Sequence, residues 1–337
     1  MENNHKAVVV SVAVGDVTSF KADVLVLKYA QAHYGIDGIV SQRVTRRGVD
    51  ENQFAPRPGV SSYFSSCRGI CPANILVVGV KGLYDFSYKD IRIFARTALE
   101  ALADIEKDTS MEHVCFTLHG AEYGLDEVEA FESEIAGLID GITSGRIPKT
   151  IQQISIVEID DRRAGRLKEV LRELIPLGYV EQNRNDYLQA SEESVYERVR
   201  SVGYSSADKP HVFVAMPFRE EMEDVYEYGI RNAVRKAGFL CERADLSAFT
   251  GDVMDWVRMR IRSASLVIAD LTSTNPNVYL EVGYAWGVGV KTVLLARDTE
   301  QLKFDVRSQR CIVYSRIKDL EKKLYKELVA LSEDIFS

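Results

Sequence analysis

The stretch IADLTSTNPNVYLEVGYAWGVGVK, residues 268–291, carries one charge between Pro276 and Lys291, the carboxylate of Glu281. Asn275 is a good helix N-cap and Pro276 suits the first helical turn, so a helix is expected over 276–288, with Gly289 as its stop. At about 100° per residue, Glu281 falls beside Val278, Ala285 and Val288. Leu280, Gly283, Tyr284 and Gly287 occupy the other side. No face is polar, which predicts a helix covered on more than one side. A carboxylate in such a place is costly unless it is paired or functional. Glu281 could pair with a distant Arg or Lys, could face solvent at the helix edge, or could do chemistry. For the third reading, partners stand nearby: Asp270 and Thr272 at the end of the preceding strand, Asn275 and Asn277 at the helix start, and Asp245 at the end of a neighbouring strand. Carboxylates and amides gathered at one strand edge suit a polyhydroxyl ligand such as a sugar.

The elements that must position these groups alternate. HVFVAM (211–216), FLCERAD (239–245), SLVIADL (265–271), VKTVLLA (290–296) and CIVYS (311–315) read as strands, separated or followed by helices over 220–237, 252–263, 276–288 and 317–331. That is a five-stranded doubly wound domain, whose ligands sit at the carboxyl ends of the strands. Those ends carry Met216-Pro217-Phe218, Ala244-Asp245 and Asp270-Leu271-Thr272. The first part also alternates. Strands are expected at 7–14, 23–30, 73–80, 113–120 and 153–160, and helices at 87–107, 126–142 and 162–175. This predicts a mainly parallel or mixed sheet with helices on both faces. The polar stretch SVGYSSADKPH (201–211) marks the boundary near 205, giving domains over 1–200 and 206–337.

With these residues on view, HVFVAMPFREEMEDVY, GDVMDWVRMRI, the 268–291 stretch and KFDVRSQRCIVYS together resemble the nucleoside 2-deoxyribosyltransferase-like family, which borders on TIR-like domains. The resemblance covers about 211–315. It implies a flavodoxin-like parallel sheet and N-glycosidic chemistry on a nucleoside or nucleotide. Glu281 matches the glutamate that attacks the anomeric carbon, giving a glycosyl–enzyme ester that water or a second base resolves. TIR-like relatives split nicotinamide from NAD with a similarly placed glutamate. The resemblance would put Asp270 near the base or ribose, as acid or hydroxyl anchor, and would line the base pocket with Met216, Pro217 and Phe218. In this family an aspartate commonly stands six residues before the nucleophile. Here that position is Asn275, which leaves hydrolysis and a nucleotide substrate as open as transfer between deoxynucleosides. Two other classes stand beside the enzyme reading: a non-catalytic nucleotide receptor and a TIR-like oligomerising scaffold.

In the first part, VAVGDVTSFKADVLVLKYA, YGIDGIVSQ and ANILVVGVKG resemble the macro-like fold, especially the N-terminal domain of leucyl aminopeptidases. That resemblance implies an α/β/α domain and places Asp16, Gly35 and Asp37 at a possible ligand site, with Asp16 matching the residue that contacts adenine of ADP-ribose. As a turn residue, Asp16 could equally cap its own backbone. HGAEYGLD (119–126) could face a phosphate through its glycines, or serve as a plain strand-to-helix turn. The run GLDEVEAFESE (124–134) reads as a solvated, acid-rich helix start.

The bulk numbers bound the function. The chain has 337 residues, net charge −8 and 46% hydrophobic residues, which suits about two domains with real cores and disfavours a general nucleic-acid binder. No apolar run approaches the ~20 residues of a membrane span. The N-terminus lacks a signal-peptide pattern, so a cytoplasmic protein without membrane contact is expected. Five scattered cysteines read as reduced thiols, and the five histidines form no ligand cluster, so neither metal nor cofactor is expected. The expected partners are a small-molecule nucleoside or nucleotide and, as a homo-oligomer, further copies of the chain.

Overall fold

The computed structural model describes residues 6–106, 110–121, 123–182, 193–243, 253–298, 302, 303, 306 and 309–335. The chain forms two compact units. Unit 1 comprises Met1–Ala121 and Val128–Ala207, and unit 2 comprises Glu122–Glu127 and Asp208–Ser337. Both are α/β.

Unit 1 contains strands β1 (Ala7–Val14), β2 (Val24–Tyr29), β3 (Ser61–Phe64), β4 (Asn74–Gly79), β5 (His113–Phe116), β6 (Gln153–Glu158) and β7 (Tyr179–Glu181). Its helices are α1 (Gly35–Thr45), α2 (Tyr88–Ile105), α3 (Glu127–Thr143, whose first residue belongs to unit 2), α4 (Asp161–Leu174) and α5 (Glu193–Ser201). The sheet order is β3-β4-β2-β5-β6-β1-β7. The inner pairings are parallel, and the edge strands β3 and β7 are antiparallel to their neighbours. The alternating side chains of β5 show the two faces. Cys115 joins Leu25, Leu27, Val40 and Val44 in a core under α1. Phe116 meets Phe94 of α2 edge to face at 6.2 Å between centroids. Helices α2 and α3 share that second face and pack backbone to backbone: a Cβ on Gly137 would stand 2.2 Å from the Arg92 carbonyl oxygen. Arg92 also clamps the end of α5. Its guanidinium grips Asp140 at 2.7 and 2.9 Å and donates to the carbonyls of Val199, Arg200 and Val202, which a helix C-terminus otherwise leaves unpaired.

Unit 2 is an all-parallel sheet in the order β12-β11-β10-β8-β9. The strands are β8 (His211–Ala215), β9 (Leu240–Glu242), β10 (Leu266–Asp270), β11 (Thr292–Ala296) and β12 (Cys311–Val313). The helix after β8 runs as α6 (Glu220–Asp224), a π-helical segment (Val225–Arg231) and α7 (Asn232–Lys236). Then follow α8 (Val253–Ser263), α9 (Pro276–Gly287) and α10 (Ile317–Ile335). One face of the sheet buries Val212, Val214, Ile268 and Leu295 against Tyr226 and Ile230 of the π segment and Leu320 and Leu324 of α10. Parallel strands covered on both faces read as continuous apolar runs, as β10 does.

The acidic run 124–134 departs from its sequence reading. Asp126, Glu127, Glu129, Glu132 and Glu134 are all buried. Four of the five have hydrogen-bonded or ion-paired partners, whereas Glu134 has none of normal geometry among the described residues and is influenced only by the His119 amide and the Lys28 charge. Within unit 2, Asp126 accepts from Arg235 at 2.8 Å and from the Cys241 amide at 2.9 Å, and Glu127 accepts from Arg231 at 2.8 Å. Within unit 1, Glu129 accepts from the Ser206 hydroxyl at 2.7 Å and Glu132 pairs with Arg198. Partners remote in sequence, which charge patterning along the helix does not reveal, make the burial possible.

Candidate functional site

Helix α9 starts as its sequence requires. The Asn275 side chain accepts from the Asn277 amide at 2.9 Å, and Pro276 fills the first turn. The helix buries Val278, Glu281, Val282 and Ala285. Its other side does not follow the expectation of an all-round cover: Leu280 is 56% exposed and Trp286 39% exposed. Added Cβ atoms on Gly283 and Gly287 would meet nothing within 4 Å. Trp286 is therefore not a core residue.

Glu281 lies on the covered side and is 8% exposed. Among the described residues it has no hydrogen-bond or ion-pair partner. Burial alone pushes its carboxyl up to about 7. Of the three readings its sequence left open, pairing with a distant cation and an open solvent position both disagree with this placement.

Asp270 is wholly buried, and both of its oxygens are engaged. Oδ1 accepts the Thr272 amide at 2.9 Å and Oδ2 accepts the Tyr314 hydroxyl at 2.7 Å. Burial raises its carboxyl, while the bonds from Thr272 and Tyr314 and the nearby Arg297 oppose the rise. Thr272 in turn accepts the Arg297 amide at 3.2 Å. This network shapes the loop from β10 into α9.

At the ends of β8 and β9, Met216 and Pro217 are buried and Phe218 is partly exposed. Met216 and Phe218 meet Arg243, a residue that the sequence reading did not single out. Its guanidinium carbon lies 3.8 Å from the Tyr226 ring centroid and 4.5 Å from that of Phe218. One nitrogen reaches both Glu223 oxygens at 3.1 and 3.2 Å. The sequence placed Arg243 inside the strand expected at 239–245, whereas β9 ends at Glu242 and leaves it just past the strand's carboxyl end. Asp245 lies outside the described residues. Asn277 is exposed, and Thr272 and Asn275 are half-buried.

In unit 1, the three expected ligand-site residues are not joined by any hydrogen bond among the described residues. Asp16 is exposed and accepts the Thr18 amide and hydroxyl at 2.8 and 2.7 Å, which hold its carboxyl below the usual range. That is a turn residue capping its own backbone. Gly35 is exposed with φ 51°, and Asp37 is buried against Lys28, with the ammonium 2.6 Å from Oδ2.

Among the described residues no group of histidine, cysteine or carboxylate side chains is arranged to hold a metal, and no helix is long and apolar enough to cross a membrane. No family model matches the sequence, and no curated protein matches it. Among solved structures, a CMP N-glycosidase of Clostridium botulinum is 22% identical, over 35% of this chain and 98% of its own, with TM-score 0.30. A macrodomain mutant from Oceanobacillus iheyensis with ADPR is 16% identical, over 49% and 92% of the two chains, with TM-score 0.38. The macro domain of ganglioside induced differentiation associated protein 2 is 16% identical, over 52% and 85%, with TM-score 0.37. At these values the likenesses assign neither an activity nor a ligand to this chain.

Proposed function

We propose that unit 2 cleaves or transfers the N-glycosidic bond of a nucleoside or nucleotide, with Glu281 as the reacting carboxylate. The observation that carries this reading is the isolation of Glu281: an almost buried carboxyl, on a helix near the strand ends, with no partner among the described residues. A purely structural carboxylate at this depth would be paired. The resemblance of the surrounding stretch to nucleoside 2-deoxyribosyltransferase-like proteins supplies the reaction class.

In this reading the ionised Glu281 oxygen attacks the anomeric carbon as the C–N bond breaks. The base leaves with the electron pair of that bond; a base that departs as an anion takes a proton from solvent, whereas nicotinamide departs neutral. Water or a second base then displaces the carboxylate and regenerates it. The negative charge also steadies the oxocarbenium character of the transition state. Asp270 acts by position: fixed by Tyr314 and the Thr272 amide, it sets the loop that launches α9. Met216, Pro217 and Phe218 form the base-facing wall, with Arg243 steadying Phe218. Thr272, Asn275, Asn277 and Asp245 are proposed for the sugar.

Chromatography of the protein mixed with NAD, deoxynucleosides and their monophosphates tests the reading. Free base or nicotinamide from wild type and none from Glu281→Gln supports it, whereas equal products from both proteins would refute it. A second reading, assembly of copies through α9, is favoured by the exposed Leu280 and Trp286. Light scattering of wild type against Trp286→Glu tests that one.

A further inference from the structure

Unit 1 carries a set of groups for which neither the proposed chemistry nor Asp16 has any use. They lie where its topology changes direction. Strand β2 leads through α1 and β3 to β4 on one side of the sheet, and β5 leads through α3 to β6 on the other. Helices α1 and α3 lie on opposite faces. Adjacent parallel strands whose connections part in this way leave a crevice at their carboxyl ends, the general place for a ligand in such sheets. In this chain β2 and β5 are that pair.

The crevice is filled by buried polar side chains. Lys28 near the end of β2, Thr117 and His119 just past β5, Asp37 in the first turn of α1 and Glu134 on α3 are each less than a tenth exposed. The register Leu25↔Cys115 brings Lys28 level with the segment holding His119. The Lys28 charge acts on both His119 and Glu134. Phe94 closes one side, edge to face on His119 at 4.8 Å. Five atoms here have no hydrogen-bond partner of normal geometry among the described residues: Asp37 Oδ1, Thr117 Oγ1, His119 Nε2 and both Glu134 oxygens. A buried polar group left unmet is costly, so a fold that collects four such side chains at one crevice has a use for something that satisfies them.

The chemistry of the unmet atoms selects the occupant. Asp37 Oδ1 only accepts while ionised, the neutral imidazole of His119 can accept at Nε2, and the Thr117 hydroxyl does either. Lys28 and Asp37 already balance each other's charge. Glu134 has no such balance, and burial pushes it up to about 8, opposed only in part by the His119 amide and Lys28. An arriving cation with N–H donors would let Glu134 give up its proton, keeping the crevice neutral while filling its acceptors. The low exposure of all four acceptor side chains favours a cation of few heavy atoms.

We propose that the β2–β5 crevice of unit 1 binds a small protonated amine, held by Asp37, Thr117, His119 and Glu134. The site is independent of Glu281.

The test uses the full chain with methylammonium chloride as probe. Tetramethylammonium chloride and sodium chloride at equal ionic strength serve as controls, since neither carries an N–H donor. Titration calorimetry at pH 7 in two buffers of different ionisation enthalpy reads both affinity and proton release. Saturable methylammonium binding with release of up to one proton is expected, with at least tenfold weaker binding and no proton release in Glu134→Gln. Thr117→Val is expected to weaken binding several-fold, and it decides the matter should Glu134→Gln fail to fold. Identical behaviour of methylammonium and tetramethylammonium, or binding unchanged in Thr117→Val, would overturn the proposal and leave the crevice to buried water.

Discussion

The Tyr314 hydroxyl donates to Asp270 Oδ2 at 2.7 Å, reaching from just beyond the edge strand β12, past β11, to the last residue of β10. The tyrosine ring is buried, and its own amide is tied to the Ala296 carbonyl at 3.1 Å, so donor and acceptor are both fixed. Removing only the hydroxyl, in Tyr314→Phe, leaves a wholly buried carboxyl one bond short. The expected loss is about 1–3 kcal/mol, seen as a lower urea midpoint with an unchanged slope. Because Asp270 sets the loop before α9, product formation is expected to fall as well, through kcat more than KM. A variant as stable as wild type would show that the loop is held by other means.

Glu281 should give the reaction its pH dependence. Its carboxyl sits at about 7 because it is buried, and only the ionised form can attack carbon. The kcat/KM profile is therefore expected to rise through pH about 7 and to level above it. Stability runs the opposite way. The unfolded chain ionises near the ordinary carboxyl value while the folded one still holds its proton. The cost of burying Glu281 thus grows from about pH 4.5 to about 7 and is constant beyond. Glu281→Gln should be inactive, more stable than wild type by about 1–3 kcal/mol at pH 8, and little changed in stability at pH 4. Urea melts of both proteins at the two pH values check this. A stability difference independent of pH would mean that the Glu281 carboxyl titrates alike in the folded and the unfolded chain.

How much of this was legible in the sequence follows from the range of each interaction. The start of α9 and four of the five strands of unit 2 rest on local signals, apolar runs and the Asn275-Pro276 cap, and these appear within a residue or two of the expected places; β9 ends at Glu242, three residues before its expected end. Elements without such periodicity were not anticipated: α1, with its mixed surface, and the short edge strands β3 and β7, which exist only as partners of β4 and β1. The sequence left the burial of Glu281 as one of three readings, and the all-round cover that suggested it holds on only one side of α9. The exposure of Trp286 was not, since an apolar residue on a helix does not say whether anything covers it. Arg243 between Phe218 and Tyr226, and the arginines facing 126–132, are contacts across long sequence separations. Nothing in their local sequence marks them.

The Lys28–Asp37 pair gives a prediction about unit 1 alone. Both side chains are nearly inaccessible, at 7% and 4% exposure, and 2.6 Å apart. Lys28→Met would strand the Asp37 carboxylate, at a cost of about 3–5 kcal/mol, because a buried charge without its partner loses far more than the pair itself contributes. Replacing both, as Lys28→Met with Asp37→Leu, removes the charges together and should recover most of the loss. Denaturant titration of the three proteins measures the coupling. Additive losses would mean that the two residues do not act as a pair.

In unit 2, Gly124 and Trp256 make a demand that only glycine meets. Gly124 has φ 87°, in the left-handed region, and a Cβ there would lie 2.0 Å from the Trp256 ring. The indole is 3% exposed, so it has no open space into which to swing. Gly124→Ala therefore combines backbone strain, roughly 1 kcal/mol, with a clash that must displace a packed ring, typically about 1–3 kcal/mol more. A lowered melting temperature is expected. The second change Trp256→Leu separates the two costs. Added to Gly124→Ala it should relieve the clash but not the strain, so the double variant should be less destabilised than the sum of the single changes. If the two losses simply add, the indole is not what excludes a side chain at 124, and the positive φ alone explains the glycine.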